Sequence, residues 1–66
     1  MDIKVNGEVV SLNEGNMLSD LAVQLNLPKN GVAVAVNQEM VPRENWNGFS
    51  LKENDEIIII TAVCGG

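Results

Sequence analysis

The sequence contains no histidine and no tyrosine, so the usual neutral-pH base and the phenolic acid are both missing. Its single cysteine, Cys64, can close no disulfide within the chain and makes no thiolate metal site or iron–sulfur cluster. Only four residues are basic against nine acidic ones, a formal net charge of −5. That balance repels nucleic-acid phosphates and anionic lipid, and it suits a protein partner with a basic surface. The longest unbroken apolar run, Val32 to Val36, falls far short of the ~20 residues that span a bilayer. The opening Met1-Asp2-Ile3-Lys4 lacks the basic flank and apolar stretch of a signal peptide. Together with a free thiol, this predicts a cytoplasmic protein with no nucleic-acid or membrane partner.

At 66 residues the chain is one small domain. Such a domain buries only about 60% of its unfolded surface, which leaves little room for an enclosed catalytic pocket. What is present is globular: the apolar set is 45% of the chain, with six glycines besides. No catalytic residue and no metal site is expected.

Ile3 and Val5 alternate with Lys4, the period of a half-buried strand. Asn6-Gly7 then supplies the positive φ angles of a type I′ turn, and Glu8 to Leu12 returns as the second strand of a hairpin. Leu18, Leu21, Ala22 and Leu25 share one helical face. Asn16 is the expected N-cap, Asp20 suits the dipole of the first turn, and Pro28 stops a helix of about three turns near Asn26. Val32, Val34 and Val36 point one way and Ala33 and Ala35 the other. Asn37-Gln38 turns into a short strand, Glu39 to Val41, ended by Pro42. Arg43 to Ser50 reads as an irregular excursion whose Trp46 and Phe49 cap a core, and Leu51 to Asp55 as a polar turn. Ile57 to Ile60, apolar on both faces, reads as a central buried strand.

This order, ββαββ with irregular pieces, predicts an α+β fold of two layers, a mixed sheet of four to five strands packed on one helix. The last strand lies centrally and parallel to the first, which is the ubiquitin-like β-grasp arrangement. The domain is assigned to residues 1–61, with 62–66 as a flexible Gly-Gly tail.

The tail is either a loose end or the functional group. Two glycines without side chains let an extended C-terminus enter a narrow groove. The α-carboxyl is anionic at neutral pH and a poor electrophile, so it reacts only after activation, for example adenylation. Nothing in this chain supplies that activation, so a partner must.

The segment Val34-Ala35-Val36-Asn37-Gln38-Glu39-Met40-Val41-Pro42-Arg43, then Trp46, Leu51-Lys52-Glu53-Asn54-Asp55-Glu56-Ile57 and the terminal Gly65-Gly66, resembles the sulfur carrier proteins of bacterial thiamine biosynthesis (ThiS). Ile3-Lys4-Val5-Asn6-Gly7-Glu8 is similar to that family's opening strand, and the resemblance spans essentially the whole chain. It implies that a ubiquitin-activating-like adenylyltransferase, using ATP and magnesium, adenylates the carboxyl of Gly66. Sulfur drawn from cysteine through a desulfurase or sulfurtransferase system then gives a C-terminal thiocarboxylate, and thiazole synthase accepts that sulfur. The carrier itself is no enzyme and binds no cofactor. Gly65, Cys64 and Val63 are the expected tail-recognition residues, with the Cys64 thiol outside the chemistry.

Alternatives remain at this point: the small subunit of molybdopterin synthase, a ubiquitin-like modifier, or an interaction domain with an incidental tail. Thr61-Ala62-Val63-Cys64 stands where the first of these carries a Pro-Pro pair. If Ile57 and Ile59 face the helix, Ile58, Ile60, Ala33 and Ala35, bordered by Glu56, form either a partner-docking patch or the ordinary exposed face of a small sheet.

Overall fold

The computed structural model describes residues 1–61, and Val63, Cys64, Gly65 and Gly66 lie outside them. Among the described residues, strands β1 (Asp2–Val5), β2 (Glu8–Ser11), β3 (Val32–Val36), β4 (Glu39–Met40) and β5 (Glu56–Thr61) form one sheet in the order β2-β1-β5-β3-β4. β5 runs parallel to β1 and antiparallel to β3, and the helix α1 (Leu18–Gln24) packs on one side. This is the expected two-layer α+β β-grasp.

The hairpin forms where Asn-Gly places it. Asn6 and Gly7 both have positive φ, at 51° and 86°, and Val5 pairs directly with Glu8. The Asn37-Gln38 turn repeats the geometry without glycine, at φ 51° and 72°, and joins Val36 to Glu39. Parallel pairing is locked by the Lys4 N–H donating to the Asp55 carbonyl and the Asn6 N–H donating to the Ile57 carbonyl, both at 2.9 Å.

The helix stops near Asn26 as expected, but its start, its length and the cause of its end differ from the sequence expectation. Met17, not Asn16, is the N-cap residue, and its backbone N–H donates to the Asp20 carboxylate at 2.7 Å. Thus Asp20 acts by a direct hydrogen bond as well as by its charge at the dipole. The helix has seven residues, about two turns rather than three. It ends because Asn26 adopts φ 56°, not because Pro28 blocks it. The Asn26 and Leu27 amides donate to the Val23 and Ala22 carbonyls, a Schellman arrangement that satisfies the last carbonyls.

Leu18, Leu21 and Ala22 of α1 are buried against Ile3, Val5, Val34, Val36 and Ile57, and Leu25 packs against the same cluster. Burying each of the leucines, valines and isoleucines fully stabilises the fold by about 1.5–3 kcal/mol. Arg43–Gly48 is a 3₁₀ helix instead of an irregular excursion, and β4 stops at Met40. Trp46 is buried, with its indole N–H donating to the Val41 carbonyl at 2.9 Å, and Phe49 packs against the core as expected. The turn from Leu51 to Asp55 is less polar than its sequence: Leu51 joins the core, and Asp55 is buried while accepting from the Lys52 N–H and the Asn37 side-chain amide.

Candidate functional site

β5 is central, yet only one of its faces is covered. Ile57 is fully buried and Ile59 packs on the core, whereas Ile58 and Ile60 are 42% and 59% exposed. Expecting burial on both faces was therefore wrong: two neighbouring strands satisfy the backbone of β5, but α1 covers a single side.

Strand register assembles the surface around those residues. Cross-strand partners share a face of the sheet. Ala35 lies opposite Ile58 on one side and Met40 on the other, and Ala33 lies opposite Ile60. Glu56 pairs with Lys4, and Lys4 with Val9. The five residues expected from sequence, Ile58, Ile60, Ala33, Ala35 and Glu56, thus come together on the open face, with both alanines half-buried and Glu56 exposed.

The face is wider than the sequence reading. Met40 and Val9 are each 65% exposed, and they extend the apolar surface to both edge strands. Lys4 stands in register beside Glu56, so the border carries both signs of charge. Ala33 and Ala35 on β3 lie between the isoleucines of β5 and Met40 of β4. Met40 and Val9 were missed because their face depends on the pairing of two-residue and four-residue strands, which no periodicity within those strands displays.

β5 is also the element that precedes residues 62–66 in sequence. It runs from Glu56 to Thr61; β1 pairs with it at Glu56 and Ile57, and β3 pairs along it from Ile57 to Thr61, where Thr61 meets Val32. Residues 62–66, with Val63, Cys64, Gly65 and Gly66 among them, follow this central strand directly in sequence. Among the described residues no group of three His, Cys, Asp or Glu side chains is placed to hold a metal ion. No helix there is long and apolar enough to cross a membrane.

Comparison with known proteins agrees with this geometry. The ThiS family model matches residues 3–66, and so extends through Gly65 and Gly66. The chain is 32% identical to the sulfur carrier protein ThiS of Escherichia coli (strain K12) over 66 residues, the full length of both. A crystal structure of the thiamine biosynthesis protein ThiS from Geobacter metallireducens superposes with a TM-score of 0.84 at 25% identity, covering all of both chains. A solution structure of a thiamine biosynthesis protein from the same organism gives a TM-score of 0.81 at 25% identity, covering all of this chain and 88% of the other. The chain belongs to the ThiS family, as a sulfur carrier of thiamine biosynthesis and not a catalyst.

Proposed function

We propose that the carboxyl group of Gly66 is the cargo-bearing atom group of this carrier. Its carboxylate attacks ATP on a ubiquitin-activating-like adenylyltransferase, with magnesium, releasing pyrophosphate and forming an acyl adenylate. A persulfide on a desulfurase or sulfurtransferase, its outer sulfur drawn from cysteine, attacks the adenylate and displaces AMP; a thiol then cleaves the resulting acyl disulfide, leaving the thiocarboxylate and a disulfide. Thiazole synthase then takes the sulfur in the cytoplasm. The observation that carries this reading is the family match, which runs through Gly65 and Gly66, with a full-length match to a sulfur carrier protein beside it.

The chain's own contribution is presentation. Gly65 keeps the approach to the reacting carboxyl slim, and Val63 and Cys64 are the residues a partner's groove would grip. The open face of Ile58, Ile60, Ala33 and Ala35, bordered by Glu56, is the docking surface for the two enzymes in turn. An exposed apolar patch without deep burial suits a carrier that must leave one enzyme to reach the next. The Cys64 thiol takes no part.

Intact mass spectrometry of the chain from its native host, starved of thiamine, tests this. The expected species has one oxygen replaced by sulfur, disappears on deletion of Gly66 and persists in Cys64→Ser. Persistent absence of that species would sink the proposal.

A further inference from the structure

The helix layer, on the other side of the molecule from the open sheet face, carries a groove of about 530 Å³ between α1 and the 3₁₀ helix. Ala22, Val23, Leu27 and Trp46 contribute its apolar lining, and Val23 is 80% exposed beside it. Lys29 and Arg43 line the same groove, two of the chain's four basic residues.

The charge on Arg43 is held in place. The Arg43 guanidinium lies 4.6 Å from the centre of the Trp46 ring, and its Nη1 donates to the Pro28 carbonyl at 3.1 Å. Trp46 is in turn fixed by burial and by its bond to Val41. A guanidinium has five donor hydrogens in a rigid fork that matches a carboxylate, and one bond to Pro28 leaves most of them for a ligand. A group ordered beforehand loses little rotamer freedom when a partner arrives.

We propose that this groove docks an acidic, aliphatic segment of a protein partner. A carboxylate of the segment sits on Arg43 and Lys29, and its aliphatic side chain rests on Val23 and Leu27. Charge complementarity selects that occupant: the two cations stand out on a chain of net charge −5, which itself repels nucleic acid. Glu44 also lines the groove and opposes a second carboxylate nearby. Because the groove belongs to the helix layer, a protein seated on the open sheet face leaves it accessible. The carrier then has two docking surfaces that can be occupied together.

The test is titration of the full chain with the synthetic peptide acetyl-Glu-Leu-Glu-Glu-Leu-amide, followed by amide and indole N–H shifts in NMR. We expect saturable shifts at Val23, Asn26, Lys29 and the Trp46 indole, with Kd below about 1 mM. Lys29→Gln and Arg43→Gln each weaken binding about tenfold, as loss of one charge-assisted contact requires, and Glu44→Gln strengthens it. A peptide with lysine in place of each glutamate does not bind. The proposal is overturned if the lysine peptide binds equally, if shifts fall on Ile58 and Ile60 instead, or if nothing saturates by about 10 mM. Arg43→Gln also removes the bond to Pro28, so Lys29→Gln and Glu44→Gln decide the matter: no change in either overturns it.

Discussion

The side-chain amide of Asn6 clasps the backbone of Ile59: its Oδ1 accepts the Ile59 N–H at 2.8 Å, and its Nδ2 donates to the Ile59 carbonyl at 3.2 Å. The same residue bends the β1–β2 hairpin at φ 51° and sends its own N–H to the Ile57 carbonyl. Beyond the last residue of β1, an amide side chain therefore continues the parallel ladder. Asn37 does related work on the other side. It too has φ 51°, its Nδ2 donates to Asp55 and its Oδ1 accepts the Glu56 N–H, both at 3.0 Å. Two turn asparagines thus hold the strand that leads to residues 62–66.

Separating the two duties of Asn6 gives a first prediction. Asn6→Gly keeps the turn conformation but removes both side-chain hydrogen bonds, and should destabilise the domain by about 1–2 kcal/mol. Hydrogen exchange at the Ile59 amide should accelerate by more than global stability explains. Unchanged exchange at Ile59 would show that the clasp contributes nothing.

Neighbouring isoleucines on β5 should respond in opposite ways. Ile57→Ala empties a fully buried site and should cost about 2–5 kcal/mol in chemical denaturation. Ile58→Asp on the exposed face should cost about 1 kcal/mol or less, yet weaken docking to the activating enzyme or to thiazole synthase by more than tenfold. Binding measured by calorimetry checks this, and wild-type affinity in Ile58→Asp would remove the open face from the docking surface.

The helix terminus offers a third test. Asn26 occupies the left-handed position after α1, where only glycine is free of Cβ crowding. Asn26→Gly should be neutral or slightly stabilising, whereas Asn26→Val should cost about 1–2 kcal/mol. In a domain of this size that is a fall in Tm of about 4–16 °C, read by thermal denaturation. Equal Tm values for the two variants would mean that Pro28 ends the helix after all.

The parts of the fold legible beforehand are those governed by local rules. Asn6-Gly7 can form a type I′ turn with little strain, so the hairpin followed from two residues. Leu18, Leu21 and Ala22 can bury together only on a helix, and alternating Val32, Val34 and Val36 bury together only on a strand. Helix length escaped that reading because Pro28 was the louder signal, while Asn26 reached the left-handed conformation first. Leu51 and Asp55 looked like a polar turn because their burial depends on contacts distant in sequence. Asp55 is satisfied by Asn37, eighteen positions away, a partner that no local pattern announces.

The site divides in the same way. Sequence alone pointed to a poor catalyst, made Gly65-Gly66 the candidate reactive group, and placed Ile58 and Ile60 on one strand face with Glu56. These conclusions need only residue inventory, tail composition and the two-residue period of a strand. Tertiary structure alone decided that this face stays open on a central strand, that Met40 and Val9 widen it, and that Lys4 stands beside Glu56. It also decided that Arg43 is fixed over Trp46 in a second groove on the helix layer. Each of these is set by cross-strand register or by packing between elements far apart in the chain, and neither is encoded in any local period of the sequence.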